Sequence, residues 1–249
     1  MEPSLLSMFL PAIQQLPDDR PLTRDQLITR DFLISKNGDL EIYFAPHNEY
    51  INNDAKIVIV GITPGWSQMR IAFESFMKEL TAEKKLDKIL KETNETASFA
   101  GGMRRNLISM LDQCGLQDAL GIDSSAALFE RNRELLHTTS FVKYPVFYRG
   151  KNYTGHQPDP LKTEILAEYA TKVFPEELRL INSHALIIPL GITVERILCH
   201  LYTANQLTGH TILFGFPHPS GANGHRSKQF EQNKYAMTEI IRRWGEHYN

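Results

Sequence analysis

With 249 residues the chain can bury a sizeable core, and 42% apolar with 22% charged residues are proportions of an ordinary soluble globule. A formal net charge of −2 argues against global attraction to nucleic acid or an anionic membrane, while a local basic face stays compatible with it. Two cysteines, Cys114 and Cys199, are too few for a four-cysteine iron–sulfur or zinc centre, so neither a metal site nor a disulfide framework is expected. The first residues lack a basic leader region and no apolar run is long enough to span a bilayer, so a cytoplasmic protein without a membrane partner is expected.

Along the chain, Ser4 to Leu16 has helical apolar spacing interrupted by Pro11. Asp31–Phe44 reads as a β-hairpin turning at Asn37-Gly38, a pair that tolerates the positive φ of a tight turn. Lys56-Ile-Val-Ile-Val-Gly61 is a β-branched run of the kind buried on both faces of a parallel sheet. It ends in Gly61-Ile-Thr-Pro-Gly65, which is neither a Walker loop nor a dinucleotide fingerprint and is equally compatible with a plain βα turn. Ser67–Glu95 is charged and helix-forming, its lysines reading as a solvated face. A helix carrying Leu107, Ile108, Leu111 and Cys114 then stops at Gly115. Leu135–Pro145 is the next strand. Lys143–His156 mixes cations with tyrosines and no acid, as either a nucleic-acid groove or a basic loop over buried tyrosines.

Pro160–Leu180 is helical with a break at Pro175, and His184–Gly191 is a third buried strand, with Ile192–Tyr202 as its crossover helix. Thr211–Phe214 is a fourth strand, and Phe230–Trp244 a closing amphipathic helix. Strands alternating with helices predict an α/β fold: a three-layer α/β/α domain around a four-stranded, mostly parallel sheet, with an N-terminal helix and hairpin. One domain is expected over 1–249, with 1–50 as an extension and about 66–97 as a helical insertion. In such a sheet ligands bind at the carboxyl ends of strands, where Gly61–Gly65, Ser140–Tyr144, Gly191 and His218–Arg226 all fall.

In this order the motifs resemble the uracil-DNA glycosylase superfamily, most closely the branch of iron–sulfur bacterial and archaeal enzymes. Gly61-Ile-Thr-Pro-Gly65 is similar to the family's Gly-x-x-Pro-Gly, and Ser98-Phe-Ala-Gly-Gly102 to its Pro-Phe-x-Gly segment. Thr139-Ser-Phe-Val-Lys-Tyr144 resembles Thr-Asn-x-x-Lys, Pro189-Leu-Gly191 a Leu-Gly element before a helix, and His218-Pro-Ser220 the His-Pro-Ser motif. The resemblance runs from about Lys56 to the C-terminus.

It implies hydrolysis of the N-glycosidic bond of a base flipped out of duplex or single-stranded DNA, by a monomer without cofactor that leaves an abasic site. His218 is implied as the group that stabilises the departing base and Thr63 as a holder of water. Gly61, Ile62, Pro64, Gly65, Phe99 and Ser140 are implied to surround the base, with Phe99 as a stacking platform or a core residue. Lys143 and the loop Ser220, Gly221, Ala222, Asn223, Gly224, His225 and Arg226 would meet the DNA backbone and minor groove.

The departures are chemical. No Asp, Asn or Glu stands at Ile62 or Thr63, Ser140 replaces the asparagine that reads uracil's amide edge, and the cluster cysteines are absent. They point to a modified base other than uracil, such as a bulky hypermodified viral base, and they leave open a non-catalytic binder of DNA or modified nucleotides on the same fold.

Overall fold

The run Ile57–Gly61 forms a strand paired on both edges, and the rest of one sheet is laid out around it. The computed structural model describes residues 5–82, 84–99, 102–207 and 209–248; Ser4, Ala100 and Gly101, named above, lie outside the described residues. In chain order the elements begin with α1 (Leu5–Ile13), α2 (Arg24–Leu27), β1 (Leu33–Asn37), β2 (Leu40–Tyr43), a 3-10 turn Pro46–Glu49 and β3 (Ile57–Gly61). Next come α3 (Trp66–Leu80), α4 (Leu86–Ala97), α5 (Gly102–Gln113), α6 (Leu116–Leu120), β4 (Leu136–Ser140), β5 (Val146–Tyr148) and β6 (Lys151–Asn152). The chain ends with α7 (Glu164–Glu168), α8 (Phe174–Arg179), β7 (Leu186–Pro189), α9 (Ile192–Thr203), β8 (Thr211–Ile212) and α10 (Arg226–Tyr248).

The chain divides into two compact units. One comprises the residues up to Ile51, Thr63–Ser98 and Val142–Leu166; the other comprises Asn52–Ile62, Phe99–Phe141 and Ala167–Asn249. The second unit holds a sheet in the order β4-β3-β7-β8, with all three pairings parallel. Every residue of β3 is buried, as the continuous β-branched run requires of a central parallel strand. The helices bury one face each: Val194, Ile197, Leu198 and Leu201 on α9, and Phe230, Met237, Ile241 and Trp244 on α10. The Trp244 indole also donates to the His184 carbonyl at 3.0 Å, so the largest closing side chain leaves no polar atom stranded.

The first unit holds an antiparallel sheet in the order β1-β2-β5-β6. The hairpin turns at Gly38 with φ +58°, as the Asn-Gly pair predicts. The Lys143–His156 segment is not a loop: it contains β5, which pairs with β2, and β6. Tyr144, Phe147 and Tyr153 are buried, with Phe147 edge-on to Tyr43 and Tyr144 beside Phe44, so these three are not available as stacking platforms, while Tyr148 is half-buried. The helix α3 buries Met69, Ala72, Phe73 and Phe76, a single stripe.

The break expected at Pro175 lies just before it, as a π-helical turn over Tyr169–Val173. Pro175, in the first turn of α8, has no N–H to continue the ladder.

Because Ile59 is fully buried on the central strand, Ile59→Ala is expected to lower stability by about 2–5 kcal/mol. Urea denaturation followed by circular dichroism reads that as a reduced midpoint.

Candidate active site

In the second unit β3 is the middle of the order: the chain leaves it for β4 on one side, whereas β7 leads on to β8 on the other. The carboxyl ends of β3 and β7 are thus the point where connections diverge, the crevice in which α/β sheets bind ligands. Gly191 closes the β7 end with φ +90°, and a Cβ there would lie 3.1 Å from the Cβ of His218 and 3.5 Å from its backbone nitrogen. Only glycine lets the His218 backbone come so close, and its amide reaches back to the Phe216 carbonyl at 3.1 Å.

The loop that carries His218 is cross-braced. Asn106 Nδ2 donates to the Pro219 carbonyl at 2.8 Å, and Asn223 Nδ2 donates to the His218 carbonyl at 3.2 Å and to Gln229 Oε1 at 3.0 Å. Arg226 Nη1 donates to the Ser220 carbonyl at 2.8 Å, so this guanidinium is engaged in shaping its own loop. Gly221, Ala222, Gly224 and His225 are exposed at the tip.

The Ser220 N–H donates to His218 Nδ1 at 3.2 Å. An accepting Nδ1 places the proton of the neutral ring on Nε2, which has no hydrogen-bond partner among the described residues. Burial holds the His218 pKa below its ordinary value of 6.5, so the ring is a neutral donor at neutral pH.

Gly61 and Ser140 are register partners, and a Cβ on Gly61 would meet Ser140 Oγ at 3.1 Å. The serine is 7% exposed, and Ile62 beyond it is half-buried. Phe99 is 8% exposed and belongs to the apolar cluster that includes Ile59, Leu107, Leu190 and Phe216. Its φ of +42° is unusual for a bulky residue; Arg104 Nε fixes it by donating to the Phe99 carbonyl at 2.6 Å. A conformation of that kind costs of order 1–3 kcal/mol and is a mark of functional positions.

The motif continues into the first unit at Thr63. Its hydroxyl donates to the Tyr144 carbonyl at 2.7 Å and accepts from the Val146 N–H at 3.0 Å, which commits its one proton to the backbone before β5. Pro64 is buried. Gly65 packs on Asn152, whose Oδ1 accepts from the Trp66 N–H at 3.0 Å and closes the start of α3. Lys143 lies 3.8 Å from Glu49 Oε1, and the Tyr144 hydroxyl donates to the same oxygen. Beside them His47 is buried with neither ring nitrogen partnered among the described residues. Burial, with Lys143's charge adding to it, pushes its pKa down to about 3. The sequence reading singled out neither His47 nor Glu49, because the Pro46–Glu49 turn has no periodicity or motif.

The family model described as the Uracil DNA glycosylase superfamily matches residues 49–243. The chain belongs to the uracil-DNA glycosylase superfamily. It is also 46% identical, over 96% of its length and 93% of the relative's, to the protein named Uncharacterized protein YoxB of Bacillus subtilis (strain 168). The superfamily is one of glycosylases that act on DNA. Among the described residues no group of His, Cys, Asp and Glu could hold a metal, and no helix is long and apolar enough to cross a membrane.

Two titrations follow. In an NMR titration of labelled histidine, the His218 ring stays neutral as pH falls through 6.5 and protonates only below that value. For His47 the unfolded ring takes a proton near 6.5 but the buried ring only near 3. Its contribution to stability is therefore complete above pH 6.5 and is lost as pH falls toward 3, by up to about 1.4 kcal/mol per pH unit. Urea midpoints measured from pH 7 to 4 are expected to fall less steeply for His47→Leu than for the wild type.

Proposed function

We propose that the chain is a monofunctional DNA glycosylase that removes a damaged or modified base, turned out of the strand, and leaves an abasic site. The observation that carries this is the neutral His218, which accepts on Nδ1 from Ser220 and has its Nε2 proton uncommitted, at the strand-end crevice of the family's sheet. As the bond from C1′ to the base stretches, positive charge grows on the sugar and negative charge on the base. An Nε2–H aimed at the base stabilises the leaving anion without having to surrender a full proton. Phe99, held at positive φ, is the face against which the base stacks, and the backbone at Gly61 and Ile62 contacts the base edge. The pairing of Lys143 with Glu49 supports a role for this lysine other than forming a Schiff base with the sugar.

Ser140, at the position of the family's asparagine, favours a base other than uracil. It offers one rotatable hydroxyl instead of a rigid donor–acceptor amide. A bulkier modified base, of viral or damage origin, suits the smaller side chain. The exposed Gly221–His225 tip enters the minor groove, and the enzyme works as a monomer in the cytoplasm. The three-layer arrangement around the parallel sheet belongs to the same proposal, as does treating both units as one glycosylase domain.

One observation favours a second reading, a non-catalytic binder of modified DNA. The Gly61–Gly65 motif has no carboxylate and the Thr63 proton is committed to the Tyr144 carbonyl.

Release of free base from duplexes and single strands carrying uracil, hypoxanthine, alkylated purines or hypermodified viral bases, scored by alkaline cleavage of abasic sites, decides between the two. Base release is expected from at least one modified substrate, with His218→Ala slower by on the order of a hundredfold or more. Tight, salt-sensitive binding with no release across the panel selects the binder.

A further inference from the structure

The peptide that joins Pro219 to Ser220 is held at both ends, and both partners lie in the second unit. Its N–H is the one that donates to His218 Nδ1 at 3.2 Å, and its carbonyl accepts from Asn106 Nδ2 at 2.8 Å. A carbonyl can only accept, so the Asn106 amide must present its nitrogen there. Three successive carbonyls of the loop each meet a side-chain donor: that of His218 meets Asn223, that of Pro219 meets Asn106, and that of Ser220 meets Arg226. Asn223 and Arg226 lie within six residues of the carbonyls they hold, so they brace the loop against itself. Asn106 is 113 residues from its carbonyl and stands on α5. That helix is fixed to the sheet, with Leu107, Met110 and Leu111 buried in the cluster that contains Ile59, Leu190 and Phe216. The middle brace therefore ties the Pro219–Ser220 peptide to the body of the sheet.

A trans peptide carries its N–H and C=O on opposite sides of one plane, so fixing the carbonyl aims the N–H. The Pro219 ring fixes that residue's φ, which leaves rotation about the two bonds flanking the peptide as the way to turn it over. Turned over, the peptide would offer its carbonyl to Nδ1. The proton of the neutral ring would then be drawn to Nδ1, and Nε2 would become an acceptor, unable to donate to a base that gathers negative charge. We propose that Asn106 is a positioning residue that sets the tautomer of His218 by orienting the Pro219–Ser220 peptide. Its consequence for catalysis rests on the glycosylase function proposed above. Donation by Asn106 also polarises the peptide and strengthens the N–H at its far end, so amide, peptide and imidazole act in series.

The test is Asn106→Leu, which nearly keeps the size of the side chain and cannot donate. Protein carrying isotope-labelled histidine is read by long-range proton–nitrogen correlation above pH 6.5, where the His218 ring is neutral, with His218→Gln identifying its signals. The wild type is expected to show a ring protonated on Nε2. In Asn106→Leu the share of rings protonated on Nδ1 is expected to rise by about 3–10-fold, the range that one neutral hydrogen bond commands. The His218 pKa should also move up toward 6.5, because the neutral ring loses its donor. A wild-type ring protonated on Nδ1 overturns the proposal, and so does a wild-type tautomer and pKa in Asn106→Leu. On the duplex that the wild type cleaves best among those carrying uracil, hypoxanthine, alkylated purines or viral hypermodified bases, single-turnover release should slow by about 3–10-fold with the Kd unchanged. A shifted tautomer with an unchanged rate overturns the catalytic role, and a slower rate with an unshifted tautomer marks a brace on loop shape alone and overturns it too. If Asn106→Leu does not fold, Asn106→Ala is read in the same way. No release by the wild type on any substrate removes the glycosylase function itself, while the tautomer comparison still decides what Asn106 does to His218.

Discussion

Everything at the candidate active site depends on one strand having neighbours on both edges. β3 pairs in parallel with β4 and with β7, so its backbone is satisfied on both sides and its five residues are buried. That double pairing fixes the register of Gly61 against Ser140 and places Leu190, which donates to the Val60 carbonyl at 2.9 Å, at the level where the chain turns into Gly191. Two glycines then stand where side chains would block the crevice. One faces Ser140 Oγ and the other faces His218. The crevice is a product of strand order, and the glycines keep it open.

Much of this was legible in the sequence because its signals are local and periodic. Continuous β-branched runs gave β3 and β7, Asn37-Gly38 gave the hairpin, and glycines ending apolar runs gave the strand-end turns. What was not legible depended on partners distant in sequence. Nothing in Val146-Phe-Tyr148 announces that it pairs with Leu40–Ile42, about a hundred residues earlier, so a strand read as either a nucleic-acid groove or a basic loop over buried tyrosines. Arginine at 226 reads as a phosphate ligand by type, yet its guanidinium meets a carbonyl six residues away. Glu49 is the clearest case. It lies in a polar turn between apolar segments, and only the fold brings Lys143 and Tyr144 to it.

The Thr63 hydroxyl links these two kinds of information. By type it could hold a water. The fold instead spends its proton on Tyr144 and its lone pair on Val146, and Asn152 closes the adjoining helix start. The Lys143–Asn152 stretch is therefore a scaffold for the second half of the first motif. Its Tyr144 and Phe147 are core, and two of its cations are paired, Lys143 with Glu49 and Arg149 with Asp39. A motif whose polar residue has turned structural needs its chemistry from elsewhere, or has none, and the two functional readings differ on that point alone.

The His218 loop joins conformation to protonation in one contact. The Ser220 N–H can donate to Nδ1 only while that nitrogen carries no proton, so the loop geometry selects the neutral ring and the tautomer with hydrogen on Nε2. Burial acts in the same direction by holding the pKa down. Protonating Nδ1 would set two donors against each other and push on a turn already tied by Asn223 and by Arg226. The donor state and the shape of the loop are in that sense one property. A neutral donor suits a leaving group that gathers negative charge gradually, because it strengthens with that charge and does not bind the neutral base as an ion would.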